Sequence, residues 1–370
     1  MVKRLLRGIR YFDWYLIINI ILLVFFGLAA LYSLQLNIED PDFTLLKRQI
    51  TFVIFGLGIF FLFSNINYQF WSDYYKIFMV LSACLLAGVL LVGQTLGGTQ
   101  GWFEFFGQNL QPVEFVKIAL VIFLARYYSQ HAKDSRVTRH IFITGLTSLF
   151  LIALVILQPD LGSAMILLVI WLSTIFLLPI QKKYFINVLI ILLVLAVVSW
   201  FFILQDYQQE RILTFISPQR DPLGAGYNVT QSVIAVGSGN LIGRGLALGS
   251  QSQLNFLPTQ ETDFIFAVIA EELGFVGAGI LLLLFFSLFV RLFKIVKSTQ
   301  DSFGSFVMVG LMSFLVAQLF INVGMNVGLA PVVGLPLPLV SYGGSSLIAT
   351  MIALGIMHNI QIQNKEQYFG

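Results

Sequence analysis

Ten apolar runs, separated by short charged or Gly/Pro-rich breaks, constrain this chain more than anything else in it. They lie near residues 14–34, 47–63, 74–92, 112–128, 141–157, 162–180, 184–204, 263–290, 305–325 and 345–362. A helix crossing the hydrocarbon core of a bilayer needs about 20 largely apolar residues. Lipid offers no partners to the backbone, so spans of this kind are helical. Composition agrees: 58% of the 370 residues are hydrophobic and 11% charged, against about 45–50% and about 25% in soluble domains. The expected fold is an all-α polytopic membrane protein, with residues 1–370 forming one integral membrane domain. That excludes a soluble enzyme, a disordered chain and a nucleic-acid binder. A net charge of +3 implies no polyanionic partner. The first run is too long for a signal peptide and lacks a small-residue cleavage site. The one cysteine, Cys84, lies within an apolar run, so there is no disulfide framework.

Lys and Arg accumulate on the cytoplasmic side of membrane proteins. With the amino terminus inside, fifteen basic residues fall on inner segments and five on outer ones, with Lys117 inside a span. Both termini are therefore expected in the cytoplasm. On this map His131, His140 and His358 all fall on or near the inner side. Chemistry at the outer face must then use carboxylates, Lys and Arg.

Two segments do not read as passive connections. The loop at residues 205–262, between spans seven and eight, faces outward. It is long enough to be functional or disordered, and apolar residues such as Ile212, Leu213, Val229 and Leu241 argue against disorder. Seven glycines fall between 224 and 249. The string GSGNLIGRG resembles phosphate-cradling loops only in glycine content, matching neither GxGxxG nor GxxxxGK[ST]. The simpler expectation is a loop folded back on the membrane surface, glycines at its turns. Residues 322–346, NVGMNVGLAPVVGLPLPLVSYGGSS, are apolar yet broken by Pro331, Pro336, Pro338 and glycines. Irregular backbone at membrane depth must be buried in protein or line a wet cavity, and an outward-opening cavity is expected.

Intramembrane charges are functional candidates. Pro112 suits a first helical turn. Glu114 then sits near the positive helix end, with Lys117 on the same face three residues later. They form either a structural pair joining helices or an anion site, Lys117 meeting the ligand and Glu114 holding it. In ETDFIFAVIAEELG, helical spacing aligns Asp263, Ala267, Ala270, Glu271 and Gly274 in one small acidic stripe, with Glu272 pointing away. Asp263 could cap the eighth helix, as could Thr262. Glu271 and Glu272 are expected to be structural. Trp102 suits an interfacial anchor. Asp160 could cap the sixth helix or belong to the outer cavity.

The strings QPVEFVKIAL, QPDLGSA, RILTFISPQRDPLGAGYNVTQSVIAVGSG, LPTQETDFIFAVIAEELG and NVGLAPVVGLPLPLVSYGGSS together resemble the SEDS family (shape, elongation, division, sporulation) over nearly the whole chain. The short amino-terminal tail is more similar to elongation members than to division members. The resemblance implies ten spans and a peptidoglycan glycosyltransferase in the cytoplasmic (inner) membrane that polymerises lipid II on its outer face during elongation. It implies a class B penicillin-binding protein and other elongation-complex membrane proteins as partners. The aspartate of the family's TDFIF motif, implied to be catalytic, is Asp263. The QPxExxK motif falls on Gln111, Pro112, Glu114 and Lys117. The family tryptophan matches Trp102, the QPDLG aspartate Asp160, and the basic position opening the second span Arg48. Family members often read HTDFIF and IGEELG, whereas this chain has Glu261 and Ala270.

Such a reaction needs a base for the acceptor 4-hydroxyl and cations for the departing pyrophosphate. With no outer histidine, Asp263 is the best base. Lys117, Arg48, Arg211 and Arg220 are the leaving-group candidates. No cofactor is required and no metal ligand set is evident; a divalent cation on the pyrophosphate is compatible. A lipid II flippase or polysaccharide exporter is the rival reading, since the same intramembrane charges would serve it.

Overall fold

The computed structural model describes residues 12–36, 42–105, 107–131, 137–178, 181–202, 204–217, 224–254 and 256–369. In chain order the elements are α1 (Trp14–Gln35), α2 (Thr44–Asn65), α3 (Gln69–Asp73), α4 (Tyr75–Val92), β1 (Gln94–Leu96), β2 (Thr99–Phe105), β3 (Gln108–Leu110), α5 (Pro112–His131), α6 (Val137–Ile156), α7 (Leu161–Phe176), α8 (Lys182–Phe202), α9 (Asp206–Ile216), α10 (Ala225–Ser238), α11 (Ser250–Gln253), α12 (Ile265–Ser298), α13 (Ser302–Asn326) and α14 (Gly344–Phe369). Eight helices (α1, α2, α4, α6, α8, α12, α13, α14) are long and apolar enough to cross a membrane. Two more complete the ten expected runs. α5 has the length at 20 residues but carries Glu114 and Lys117, and α7 is apolar but 16 residues long. The chain is a multi-pass membrane protein.

Local chemistry sets the helix starts. Asp13 caps α1 by accepting from the Leu16 N–H, Asp160 caps α7 through Ser163 N–H at 2.8 Å, and Asp301 caps α13 through Gly304 N–H at 2.9 Å. The bundle is built from α2 on α14, α5 on α13 and α4, α7 on α13, and α1 on α12. Small residues let these helices approach closely: a Cβ at Gly310 would lie 2.6 Å from Val121 Cγ1, and one at Gly355 2.9 Å from the Phe60 carbonyl. A polar seam at one end ties three helices together. Asp13 on α1 pairs with Arg291 on α12 and accepts from Gln361 Nε2 on α14 at 2.8 Å, while its N–H donates to His358 Nε2 at 3.1 Å.

The all-α expectation holds apart from one small antiparallel meander, β1-β2-β3, with Gln94 opposite Trp102 and Phe103 opposite Leu110. Its first turn needs positive φ at two consecutive residues, and Gly97 (59°) and Gly98 (83°) supply it.

The long loop, expected to fold back on the membrane surface, does fold back, and it packs on the protein. It docks into the bundle. α10 packs on α12 and α13, burying Val229 and Ala235, and Ser232 Oγ donates to the Asn326 carbonyl at 2.8 Å. The glycine-rich string is a splice into a broken helix. α12 is interrupted at Gly274, whose φ of 67° and ψ of −166° only glycine adopts freely. The break frees carbonyls and N–H groups that buried backbone must pair. Arg244 N–H and Gly245 N–H donate to the carbonyls of Glu271 and Glu272, both at 3.0 Å. In return, Phe275 N–H and Val276 N–H donate to the carbonyls of Asn240 and Leu241 at 2.9 and 3.0 Å. Contact is so close that a Cβ at Gly239 would lie 1.9 Å from the Ala270 carbonyl, and one at Gly274 2.2 Å from Gly243 N.

The two neighbouring glutamates are structural, as expected, but Glu272 does not point away. Glu271 accepts from Gln251 N–H and Ser252 N–H at 2.8 and 3.0 Å, and Glu272 accepts from Ala247 N–H at 3.3 Å. Both are buried and both hold the loop.

Candidate active site

The irregular stretch after α13 is exposed or partly buried as far as Gly334 and then enters the protein, with Leu335, Leu337, Leu339 and Val340 all enclosed. Its polar backbone is met by side chains. Leu337 N–H donates to Ser341 Oγ at 2.8 Å, which in turn donates to the Thr262 carbonyl. Tyr342 N–H donates to the Glu261 carbonyl at 2.8 Å, and Gln49 Nε2 donates to the Ser341 carbonyl at 3.2 Å. These bonds clamp the 261–263 segment from beneath.

Asp263 is held by its main chain. Its carbonyl accepts from Asn322 Nδ2 at 3.0 Å and Asn326 Nδ2 at 2.9 Å, and its N–H donates to the Thr259 carbonyl at 3.1 Å. The capping alternative fails. α12 begins at Ile265 with Phe264 in the cap position and no side-chain cap; the Ala267 N–H is met instead by Asn326 Oδ1 at 3.0 Å. Asp263 thus lies ahead of the spanning helix with its backbone anchored and its carboxylate unused by the cap. That carboxylate faces Gly334, where a Cβ would sit 3.6 Å from Oδ2.

Desolvation is the largest influence on Asp263 and raises its pKa to about 6. A hydrogen bond from Thr262 and the charge of Arg211 oppose that shift, while Glu261 and Asp160 reinforce it. Burial prevails because α12 begins two residues after Asp263, with Phe264 at its cap, so the carboxylate receives no helix N–H.

Arg211, on α9, is partly exposed and stacks over the Tyr207 ring at 5.6 Å. Tyr207 Oη donates to the Pro159 carbonyl at 3.4 Å, which brings α9 to the QPDLG segment. Asp160, besides capping α7, accepts from Gln111 Nε2 at 3.4 Å, and its charged neighbours are Lys117 and Glu114. Asp263, Arg211, Asp160, Gln111 and the Glu114–Lys117 pair therefore form one continuous polar cluster at a single end of the bundle.

The structure separates the candidate cations. Lys117 pairs with Glu114 at 2.8 Å; both lie on α5, so the pair does not itself join helices. Lys117 is fully buried, its ammonium 5.3 Å from the Phe314 ring centre. Arg48 is exposed near the start of α2, next to Gln49 of the clamp. Arg220 lies outside the described residues. Trp102 is half-buried on β2. The sheet end is tied in through Ser345 Oγ, which accepts from Gln111 N–H at 3.0 Å and donates to the Asn109 carbonyl at 3.4 Å.

Sequence reasoning missed Asn322, Asn326, Gln49, Ser341 and Tyr207. A signal existed for the first two: Gln318, Asn322 and Asn326 recur every four residues in an otherwise apolar span, which puts them on one helix face. Gln49 and Ser341 carried none, because their roles depend on a contact 292 residues apart.

Known proteins similar to this chain match it over nearly its whole length. The chain is 37% identical over 351 residues to the peptidoglycan glycosyltransferase MrdB of Escherichia coli K12, covering 93% of each. It is 36% identical over 355 residues to the stage V sporulation protein E of Bacillus subtilis, covering 94% of this chain and 96% of that one. Among solved structures, a chain of a peptidoglycan synthase complex described as coordinating polymerization and crosslinking superposes with a TM-score of 0.79. It is 30% identical and covers 97% and 99% of the two chains. The rod shape determining protein RodA of Thermus thermophilus gives a TM-score of 0.71 at 28% identity, covering 97% and 98%. The FtsW/RodA/SpoVE profile, described as cell cycle protein, matches residues 13–366, and the chain belongs to that family.

Proposed function

We propose that this chain is a peptidoglycan glycosyltransferase that joins lipid II units into β-1,4 glycan strands at the outer face of the cytoplasmic membrane, in cell elongation. The observation that carries the reading is Asp263: a backbone-anchored carboxylate, free of capping duty, with its pKa near 6 and a partly exposed arginine among its charged neighbours. A general base serves best when its pKa approaches the working pH.

In this reading Asp263 accepts the proton of the acceptor 4-hydroxyl. The hydroxyl oxygen forms a bond to the donor's anomeric carbon as the carbon–oxygen bond to the pyrophosphate breaks. Attack opposite the leaving group inverts an α-linked donor into a β bond. Polyprenyl pyrophosphate departs with its electron pair, and Arg211, partly exposed and a charged neighbour of Asp263, is the cation that meets it. The buried Glu114–Lys117 pair acts on the site as the charged neighbour of Asp160, with Lys117 a ligand only once the site opens to substrate. Arg48, Arg220 and Trp102 are further contacts for the long donor. A divalent cation would be bound chiefly through the pyrophosphate's own oxygens, since among the described residues no group of three or more His, Cys, Asp or Glu converges.

The 15-to-5 basic asymmetry supports cytoplasmic termini. The synthase complex named above supports a crosslinking partner, which we take to be a class B penicillin-binding protein within the elongation machinery. The test is reconstitution of the purified protein with lipid II. Glycan polymer formed without ATP or a second glycosyltransferase is the expected result; translocation without polymer would instead identify a transporter.

A further inference from the structure

α5 and α13 run antiparallel, and two contacts fix their register. A Cβ at Gly310 would touch Val121, and Phe314 lies against the Lys117 ammonium. One further turn along each helix puts Gln318 level with Val113 and Glu114, and another puts Asn322 near the sheet end of α5. Glu114, Gln318 and Asn322 are all buried to within 1% of full enclosure.

Their polar atoms do not close on one another. Glu114 Oε1 takes the Lys117 ammonium, but Oε2 finds no hydrogen-bond partner among the described residues. Neither Oε1 nor Nε2 of Gln318 finds one, and Asn322 Oδ1 is likewise unmet. Four unmet polar atoms at neighbouring levels of one helix interface are unusual, because buried polar groups are nearly always satisfied. Three of them are acceptors and one is an amide donor. A water molecule can donate twice to acceptors and accept from the amide, which matches that set.

We propose that Glu114, Gln318 and Asn322 enclose a buried hydration site between α5 and α13. Water there links the Glu114–Lys117 pair to Asn322, and Asn322 donates directly to the Asp263 carbonyl. Gln318 is thus a positioning residue: it touches neither substrate nor reacting atoms, and it fixes the Glu114–Lys117 ion pair relative to the Asp263 backbone. The structural part stands without the polymerase reading; only the effect on glycan synthesis rests on it.

Two substitutions at one position test the site, because a wet site and a dry one rank them in opposite order. Gln318→Met keeps the length and removes the polar atoms. Gln318→Ala removes the bulk and leaves room for more water. In a hydrated polar site water replaces the lost amide, so Ala is tolerated and Met strips the bridge. In a dry site Ala leaves an apolar cavity and Met relieves an unmet amide. We expect the unfolding midpoint of the detergent-purified protein to fall by roughly 2–4 °C with Met and by less with Ala. Glycan yield from lipid II should follow the same order, with the Met defect in kcat and KM nearly unchanged. Met equal to or more stable than Ala overturns the site. If neither variant folds, a high-resolution map of the wild-type protein decides: a solvent peak within hydrogen-bond reach of Glu114 Oε2 and Gln318 upholds it, and a dry gap overturns it. If even the wild type makes no polymer, the polymerase reading fails, while the stability order still decides the site.

Discussion

At the scale of single residues, the sharpest expectations concern Asp263. Asp263→Asn keeps the shape but cannot accept a proton at neutral pH. General-base assistance contributes typically about 10²–10⁴-fold, so polymer yield should drop by about that factor while lipid II binding persists. Near-normal synthesis by the Asn variant would shift the base to another carboxylate. The pKa of about 6 also sets a pH profile. Below it the base is protonated, so log(kcat/KM) should climb with unit slope and level off above about pH 7. A flat profile down to pH 5 would remove Asp263 from that role. Stability runs the other way. The folded carboxyl holds its proton more tightly than the unfolded one, whose value is 3.8. Stability is therefore lost as pH rises between those two values. At pH 7 the Asn variant should melt no lower than wild type, the reverse of what removing a cap would do.

Lys117 and Glu114 need a different test, because removing one partner of a buried pair strands a charge at a cost of about 3–5 kcal/mol. Lys117→Ala should therefore reduce the folded yield whatever its role. The charge-neutral double variant Glu114→Gln with Lys117→Met should fold. If the pair meets the leaving group, that variant should still be inactive; full polymerisation by it would make the pair purely structural.

At the scale of elements, the splice between the outer loop and the break in α12 is the device that carries the site. Gly274→Ala would set a Cβ 2.2 Å from Gly243 N in a conformation that side chains rarely adopt. Strain of this kind costs about 1–3 kcal/mol, and the four backbone bonds of the splice are lost with it. A clear fall in melting temperature is expected, together with proteolytic cleavage near residues 239–249. Unchanged protease resistance would contradict the splice. The sequence showed the glycines without their purpose. Glycine spacing alone cannot distinguish tight turns from close backbone approach, and only the facing segment, some 30 residues on, resolves it. Gly97 and Gly98 were similar: their turn closes a meander that was hidden inside a short polar break.

At the scale of the whole molecule, topology is open to direct measurement. Cysteines at Thr95 and Ile242, both exposed, should react with an impermeant reagent from outside the cell, and cysteines at Gln181 and Ser298 should not. Outside labelling of Gln181 would invert the map.

That all ten apolar runs are helical, eight of them long and apolar enough to cross a membrane, their order and the motif residues were legible from the chain alone. Membrane burial acts on each segment locally, so length and hydropathy suffice to reveal a span. What each polar residue does was not legible. Whether Asp263 caps its helix or stands apart is decided by Asn322 and Asn326 reaching across from α13. That Lys117 is sealed in while Arg211 is open depends on Phe314 and on the docking of α9. These outcomes come from contacts between segments tens to hundreds of residues apart, whose partners no local pattern encodes. Hydropathy read along the chain marks the candidate crossings, because it is a local property; which charges are buried, paired or left exposed at the site follows from packing between the helices.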